Sequence, residues 1–517
     1  MGQKKLCSVF FGTLFSDTFH RKIVLIKMMN MSIPHKMKQL ICICLLCCTA
    51  GIAAAQEQNE YFPDPDPRIT HRLEEWKDLK FGLLMHWGTY SQWGIVESWS
   101  ICPEDVGWAT GARKAGIAPN DYAGYKKAYE NLKTTFNPVK FNPEKWAAAA
   151  KAAGMKYMVF TTKHHDGFCM FDSKYTNYKI TDSACPFSAN PRSNITKEIF
   201  NAFRKEGLWT GAYFSKPDWN VDSYWWKQFP PADRNCNYDV VKYPEMWKKY
   251  VDFTHNQINE LMSDYGKIDV LWLDGGWVRK TSDEEVAKYL VEKTDGIRSA
   301  RNPQNQDIDI ARLAKEARSK QPDVLVVDRA CAGPYQNYLT PEQHIPETGL
   351  SYPWETCMTM GNSWSYVPND VYKPAEEIVK KLVDIVSKGG NYLLNIGPGP
   401  DGELDPNAYQ RLEEIGTWIK TNGEAIYGSR MFTVFSEGDN IRFTQSKDGH
   451  TKYIFFFDFP KDKIVLSKIP FAKNAKLQLL GSTKKINWKP VEKGVELSIP
   501  AALKAVSNYV WVVKVVE

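Results

Sequence analysis

Polar side chains that could perform chemistry follow several short apolar runs of this sequence. Asp274 ends the run at residues 268–274 and is followed by two glycines, where a strand must stop and turn. A mostly apolar run of this length predicts a strand that is buried on both faces of a parallel sheet. In (β/α)8 barrels the chemistry lies at the carboxyl ends of such strands. Asp274 is therefore a candidate catalytic carboxylate, although an Asp before Gly-Gly is also common turn chemistry.

Histidine, tyrosine and arginine side chains follow the other predicted strands. In chain order these residues are His86, His164, His165, Tyr213 and Arg329. Because the carboxyl ends of barrel strands meet at one rim, we expect these side chains to converge. The two adjacent histidines could bind a metal, but they lack the i, i+4 spacing of a helical metal pair, and the sequence shows no third ligand motif. Hydrogen bonding to a polyhydroxylated ring is the better interpretation, since an imidazole can donate and accept at once.

Glycoside hydrolysis is one reaction that such a rim could perform, and it usually requires two carboxyl groups. One carboxylate attacks or activates water, and the other group protonates the leaving oxygen. With Asp274 as the first group, we expect the second on a loop beyond the next strand. Three glutamates are available there, namely Glu342, Glu347 and Glu355. The chemistry of these residues does not choose among them.

The apolar runs alternate with helical stretches over residues 56–428. These runs cover residues 80–87, 156–162, 208–215, 268–274, 323–328 and 391–396. One helix between them is predicted to begin after the capping residue Asn142 and to end at Gly154. Strand–helix alternation predicts parallel βαβ units, and the length of the region suits a (β/α)8 barrel with insertions. Residues 279–320 are charged and polar, and we interpret them as a helical insertion between two barrel strands.

The pattern changes after Gly428 to short strand-like runs separated by charged turns. These runs cover residues 432–434, 441–444, 452–457, 463–466, 477–480 and 509–516. Such regular spacing of short strands is typical of an antiparallel sandwich. We therefore predict an α/β protein, with a (β/α)8-like (TIM) barrel at residues 56–428 followed by a C-terminal antiparallel β-sandwich at residues 429–517.

The first 55 residues have the character of a leader. They contain seven Lys or Arg and one acidic residue, a net charge of +6, which equals that of the whole chain (66 basic minus 60 acidic). The remainder is formally neutral, with 59 basic and 59 acidic residues. This balance removes most of the case for a nucleic-acid or membrane-surface partner, which requires a basic patch.

A compact secretion signal is predicted to begin near Met37. Lys36 and Lys38 form its charged region, residues 40–48 its apolar core, and residues 53–55 a small-residue cleavage site. The apolar core is too short to span a bilayer as a helix. We therefore expect an exported protein, periplasmic or extracellular. A lipid anchor at Cys47 or Cys48 is less expected, because the preceding residue is a poor fit to a lipidation signal.

Six cysteines follow the leader, and none of them forms a C-x-x-C pair. Their scatter argues against a zinc cluster or a thioredoxin-type site. In an exported protein a disulfide is possible, but a core of this size does not require one. Most of them are expected to be small buried apolar residues.

Four motifs together resemble the α-L-fucosidases of glycoside hydrolase family 29. The motifs are His86-Trp87-Gly88, residues 163–168 (KHHDGF), residues 271–276 (LWLDGG) and residues 391–398 (NYLLNIGP). The match covers about residues 60–430, in the order that the family has. The resemblance implies an exported bacterial enzyme with a (β/α)8-like barrel, often with missing or distorted helices, and a β-sandwich. It also implies a retaining mechanism through a covalent glycosyl-enzyme, with no metal and no organic cofactor.

The resemblance assigns roles residue by residue. Asp274 matches the nucleophile of the family. The positions that hydrogen-bond the fucose hydroxyls match His86, His164, His165, Tyr213 and Arg329. The residues that pack near the sugar match Trp99 and Trp272.

The acid/base is less constrained, because its position varies within the family. Glu342 lies 13 residues before Glu355, a spacing that resembles members whose acid/base precedes a Trp-Glu-x-Cys segment. Glu342 is therefore favoured and Glu355 is the alternative. Around Trp99 the sequence reads Glu97-Ser98-Trp99, where many members have adjacent Glu and Trp.

The expected partner is a fucosylated glycan or glycoconjugate, and the sequence does not indicate an oligomeric state. A retaining glycosidase of a related sugar, such as a galactosidase, is the nearest rival. A catalytically silent carbohydrate-binding protein and a metallohydrolase are rivals of other classes.

Overall fold

The structure is a computed structural model that describes residues 61–103, 113–292, 304–460 and 463–517. The predicted leader at residues 1–55, with its signal and lipid-anchor cysteines, lies outside the described residues. Among the described helices, none has the length and apolar character required to cross a membrane. The six cysteines that follow the leader are all buried, as the sequence predicted for most of them.

Seven parallel strands form the central sheet. They are β1 (Phe81–Met85), β2 (Tyr157–Lys163), β3 (Trp209–Ser215), β4 (Val270–Asp274), β5 (Leu325–Asp328), β6 (Glu355–Thr359) and β7 (Asn391–Asn395). Their order in the sheet is β5-β4-β3-β2-β1-β7-β6. The sequence order therefore runs around the sheet, as in a (β/α)8 barrel, which confirms the predicted fold class.

Alternating side chains of the strands face the two sides of this sheet. Leu84, Val159 and Trp272 belong to the cluster of the barrel interior, whereas Leu83 and Phe160 belong to the larger cluster between sheet and helices. Both faces are apolar because each is covered by other elements. This explains why most of these strands read as continuous apolar runs.

An irregular segment closes the barrel between β5 and β6, in place of a helix and an eighth regular strand. The Asn337 amide donates to the Val326 carbonyl of β5 at 3.0 Å. The Glu355 amide of β6 donates to the Leu339 carbonyl at 2.8 Å. Residues 335–343 thus join the two sheet edges through backbone hydrogen bonds, and this segment carries Glu342.

Nine helices lie in the described part of the chain outside the short 3-10 turns. They are α1 (Pro67–Leu79), α2 (Tyr122–Glu130), α3 (Pro143–Ala152), α4 (Ile195–Lys205), α5 (Pro244–Asp264), α6 (Asp283–Glu292), α7 (Ile310–Lys320), α8 (Ala375–Ser387) and α9 (Pro406–Asn422). Helix α3 begins as predicted, because the Asn142 side chain accepts from the Lys145 amide at 3.0 Å. Helices α6 and α7 form the predicted insertion between β4 and β5.

Helix α1 covers the amino-terminal end of the barrel. Ile69, Leu73 and Trp76 belong to the cluster of the barrel interior. The Trp76 ring stacks on Tyr338 of the closing segment, with 4.0 Å between centroids. With this end filled by apolar side chains, the open end of the barrel is the one formed by the carboxyl ends of the strands.

The C-terminal strands form an antiparallel set of eight. They are β8 (Arg430–Glu437), β9 (Ile441–Gln445), β10 (Thr451–Phe456), β11 (Lys463–Leu466), β12 (Lys476–Leu479), β13 (Lys485–Val491), β14 (Gly494–Ser498) and β15 (Trp511–Val516). Phe443 of β9 and Leu497 of β14, far apart in the strand order, share one apolar cluster. The sheet therefore folds over its own core, in agreement with the predicted sandwich.

Candidate active site

The carboxylate of Asp274 lies at the carboxyl end of β4 and contacts three of the predicted site residues. The Tyr213 hydroxyl donates to Asp274 Oδ2 at 2.6 Å. Arg329 Nη1 donates to Asp274 Oδ1 at 3.0 Å, and His165 Nε2 lies 3.7 Å from Oδ2. The structure thus brings together side chains from the ends of four strands, β2 to β5.

The charges around Asp274 decide its protonation state. Burial raises the pKa of this carboxyl, but the Arg329 guanidinium, His165 and the Tyr213 hydroxyl together lower it further, and the net pKa lies well below the ordinary value. Asp274 is therefore ionised at neutral pH. An ionised carboxylate held by fixed donors is the form that a nucleophile requires.

The guanidinium of Arg329 bridges Asp274 and Glu342. Its Nη2 donates to Glu342 Oε2, while its Nη1 holds Asp274. Glu342 sits on the closing segment, and its side chain is 41% exposed, compared with 15% for Asp274. The two candidate catalytic carboxyls thus share one cation at the open end of the barrel, and Glu342 is the more exposed of the two.

Glu355 lies elsewhere, and the expectation that it follows a strand on a loop is wrong. It is the first residue of β6, fully buried in the barrel interior toward the amino-terminal end. Tyr157 donates to Glu355 Oε2 at 2.5 Å, and Trp272 Nε1 lies 3.4 Å from Oε1. Burial raises the pKa of this carboxyl to about 7. The strand escaped prediction because its inward-facing first residue is polar.

His86 is held in a defined tautomer. Asn395 Nδ2 donates to the Trp364 carbonyl at 2.6 Å, so Asn395 Oδ1 is the acceptor that lies 2.8 Å from His86 Nδ1. His86 Nδ1 must therefore carry the proton, which leaves Nε2 as an acceptor. Burial lowers the pKa of His86 to about 4, so the ring is neutral at pH 7. A neutral ring of this tautomer can accept a hydrogen bond from a hydroxyl group.

His164 and His165 pack against each other, with 4.3 Å between ring centroids. Burial lowers the pKa of His165 to about 4 and that of His164 well below its ordinary value. One ring nitrogen of each lies within 4.8 Å of the other and of an Asp274 carboxylate oxygen, so this set has the spacing of a metal site. Asp274 Oδ1 already accepts from Arg329, and Asp274 Oδ2 accepts from the Tyr213 hydroxyl. The positive charge of Arg329 beside this carboxylate would repel a metal ion.

The two predicted tryptophans lie at different depths. Trp99 is partly exposed beside the rim, with its ring edge-on to His165 at 5.1 Å between centroids. Trp272 is buried in the barrel interior, where it stacks on Tyr213 at 5.2 Å and lies 5.3 Å from the Arg329 guanidinium carbon. Trp99 can contact a ligand directly, whereas Trp272 supports the two residues that hold Asp274.

Other residues of this rim were not predicted from the sequence. Asn395 ends β7 and could have been found by the same strand-end argument as the others. Glu97 is buried, accepts from the Ser365 amide at 2.9 Å, and has a pKa raised to about 8 by burial. The Trp364 ring packs 5.2 Å from His86. Glu97 and Trp364 lie on loops rather than at predicted strand ends, so the tertiary fold is needed to bring them to the rim.

Comparisons with known proteins identify the family. The family model described as "Alpha-L-fucosidase" matches residues 48–424, and that described as "Alpha-L-fucosidase C-terminal domain" matches residues 436–516. The tissue alpha-L-fucosidase of Mus musculus is 28% identical over 480 residues, which cover 90% of this chain and 96% of that protein. Among solved structures, the isoenzyme 1 alpha-L-fucosidase from Paenibacillus thiaminolyticus has a TM-score of 0.68 at 29% identity, covering 87% of this chain and 99% of its own. The Thermotoga maritima alpha-fucosidase in complex with fucose has a TM-score of 0.66 at 27% identity, covering 88% and 100%. The chain therefore belongs to glycoside hydrolase family 29, the α-L-fucosidases.

Proposed function

We propose that this chain hydrolyses terminal α-L-fucosyl residues of fucosylated glycans by double displacement, with net retention of the anomeric configuration. The observation that carries the proposal is the ionised Asp274 carboxylate at the end of β4, held by Tyr213 and Arg329 beside Glu342. Retaining glycosidases use two carboxyl groups in this way, one as nucleophile and one as acid/base.

In the first step Asp274 attacks the anomeric carbon of the fucosyl residue. The bond between that carbon and the aglycone oxygen breaks, and Glu342 in its protonated form gives its proton to this oxygen. A glycosyl ester on Asp274 results. In the second step Glu342 removes a proton from water, the water oxygen bonds to the anomeric carbon, and the ester bond to Asp274 breaks.

Glu342 is proposed as the acid/base because of its access to solvent. The acid/base must reach both an aglycone oxygen and a water molecule, and Glu342 is 41% exposed. Glu97 and Glu355 have raised pKa values, but these residues are only 2% and 0% exposed. A carboxyl group that is closed to solvent is less suited to activating water.

Recognition of the sugar is assigned to the imidazoles and the arginine of the rim. His86 offers an acceptor, His164 and His165 lie beside it, and Arg329 donates near Asp274. The fucose-bound Thermotoga maritima relative supports this substrate class. Discrimination by the C5 methyl group of fucose is worth only about 1–3 kcal/mol, so slow turnover of galacto-configured sugars is expected.

A panel of aryl glycosides tests the proposal. The aryl α-L-fucoside should have the highest kcat/KM, and proton NMR should show the α anomer of fucose as the first product. Faster turnover of a galactoside would favour the galactosidase alternative. Appearance of the β anomer first would exclude double displacement, and binding without turnover of every fucoside would favour a silent carbohydrate-binding protein.

A further inference from the structure

Ser98 contacts the ring of His164 at one of its nitrogens. The Ser98 hydroxyl oxygen lies 2.5 Å from His164 Nδ1, and both residues are buried. Ser98 begins a short 3-10 turn, Ser98–Ile101, on the loop after β1. We propose that Ser98 is a positioning residue that selects the orientation in which His164 presents Nε2 to the fucosyl hydroxyls, an inference that rests on the proposed function.

Packing alone leaves the orientation of this ring undecided. The His164 ring stacks on Tyr213 at 5.7 Å with an interplanar angle of 11°, and packs against His165 at 4.3 Å. These contacts fix the plane of the imidazole. A half-turn of the ring within that plane exchanges nitrogen and carbon positions but keeps the stacking. A hydrogen bond to Nδ1 distinguishes the two orientations, because only one of them places nitrogen beside the Ser98 oxygen.

The position of Ser98 in the chain supports this role. Its two neighbours are committed to other parts of the rim: Glu97 accepts from the Ser365 amide at 2.9 Å, and Trp99 packs edge-on to His165 at 5.1 Å. Three consecutive residues thus contact three different residues of the rim and its surroundings, namely Ser365, His164 and His165. Ser98 separates Glu97 from Trp99 in this sequence, whereas many members of the family have adjacent Glu and Trp.

If the proposal holds, replacement of Ser98 should lower kcat/KM by a predictable factor. Ser98→Ala should lower kcat/KM on the aryl fucoside by about threefold to tenfold, the loss expected for one buried hydrogen bond. Ser100 provides a matched control two residues further along the same turn. Its hydroxyl is buried and makes no hydrogen bond within the described residues, so Ser100→Ala should leave kcat/KM unchanged. Both variants should have similar thermal unfolding midpoints.

Deoxy substrates separate positioning from a general structural effect. The ratio of variant to wild-type kcat/KM is measured for the aryl α-L-fucoside and for its 2-deoxy, 3-deoxy and 4-deoxy analogues. On the one analogue that lacks the hydroxyl bound by His164, His164→Ala should have the same kcat/KM as the wild-type protein. Ser98→Ala should likewise have the wild-type kcat/KM on that same analogue, because both substitutions lower kcat/KM by weakening the same hydrogen bond to the sugar.

An equal penalty for Ser98→Ala on all four substrates would overturn the proposal, as would an unchanged kcat/KM on the parent fucoside. If Ser98→Ala does not fold, Ser98→Cys replaces it, since a thiol of similar size bonds weakly to the ring and should show the same pattern at a smaller amplitude. Failure of the wild-type protein to hydrolyse the parent fucoside would instead contradict the proposed function, so the two failures are distinct.

Discussion

At the scale of single residues, the carboxyl groups near the barrel axis differ in pKa because their surroundings differ. Asp274 is kept ionised by a guanidinium, an imidazole and a hydroxyl, despite its burial. Glu355 lies among aromatic side chains, and burial raises its pKa to about 7. Environments that separate the protonation states of neighbouring carboxyl groups are typical of acid–base sites. The raised pKa of Glu355 would suit it to the role of acid, whereas position and exposure favour Glu342.

Substitution of the two glutamates should therefore give different results. Glu342→Gln should lower kcat/KM on fucosides with poor leaving groups by about 10²–10⁴-fold, the usual contribution of an acid/base, and less on activated aryl fucosides. Added azide should restore part of the turnover by replacing water in the second step. Steady-state kinetics on both substrate types provide the measurement.

Glu355→Gln is the matched control, since it is an identical substitution on the same barrel. It should keep kcat/KM within about tenfold on both substrate types, because Glu355 supports Trp272 and does not touch the rim. A leaving-group-dependent loss in Glu355→Gln, together with a normal Glu342→Gln, would reverse the assignment.

The histidines predict the acidic limb of the pH profile. Burial lowers the pKa values of His86 and His165 to about 4, so both rings are neutral above that pH and gain a proton as the pH falls through it. Protonation removes the acceptor at His86 Nε2, so kcat/KM should fall below about pH 4. In Asn395→Asp a carboxylate replaces the amide beside Nδ1, which favours the imidazolium and should move the limb to higher pH. An unmoved limb in this variant would show that His86 does not control it.

At the scale of elements, a buried ion pair joins the strand ends beneath the site. Lys216, just after β3, donates to Asp328 Oδ1 at the end of β5, and both side chains are at most 8% exposed. Asp328 immediately precedes Arg329. The pair thus fixes the point at which the chain leaves β5 and presents its guanidinium to Asp274.

Replacement of one partner of this ion pair should lower the stability of the protein. Lys216→Met leaves the Asp328 carboxylate buried without its cation, so the free energy of unfolding should fall by about 3–5 kcal/mol. Urea denaturation measures this quantity. The double variant Lys216→Met with Asp328→Leu removes both charges and should recover most of the loss. A cost below about 1 kcal/mol for the single variant would indicate an ion pair no stronger than an exposed one.

Strands with apolar runs were predictable from the sequence, and strands with polar inward faces were not. The runs around β1 to β5 and β7 are apolar because both faces of the sheet are covered. Strand β6 begins with Glu355 and contains two threonines, so it lacks this signal. Strands β13 and β14 were also missed, since β13 carries exposed lysines and a proline that weaken the strand pattern.

The site residues at the ends of apolar strands were predictable from the sequence, whereas some of those on loops were not. Barrel geometry places every strand end at one rim, so His86, His165 and Asp274 could be grouped without a structure. The depth of Glu355 depends on where β6 begins, and no local pattern marks that point. Ser98 and Trp364 reach the rim on loops, whose paths depend on the packing of the whole barrel.

At the scale of the whole molecule, the barrel and the C-terminal sheet share apolar packing. Phe455 of β10 and Val512 of β15 belong to the same cluster as the helices around the barrel. Arg442 of β9 donates to Asp384 of α8 at 2.5 Å. The outer face of the sheet near these strands is therefore covered by the barrel.

Because this surface is shared, the two domains should unfold together. Differential scanning calorimetry of the intact protein should show one transition, with equal calorimetric and van't Hoff enthalpies. A protein truncated after Gly428 exposes the apolar residues that cover β10 and β15, and should be insoluble or strongly destabilised. Two resolved transitions, or a stable truncated barrel, would show that the interface contributes little.

The central claim is that Asp274 forms a covalent bond to the sugar. A 2-deoxy-2-fluoro-α-L-fucosyl fluoride slows the second step, so the glycosyl-enzyme should accumulate and inactivate the protein with one equivalent bound. Mass spectrometry of the digested protein should locate the added fluorofucosyl group on Asp274, and Asp274→Ala should lose about three or more orders of magnitude of activity and take up no label. Label on another carboxylate, or an Asp274→Ala variant with wild-type turnover, would contradict the account.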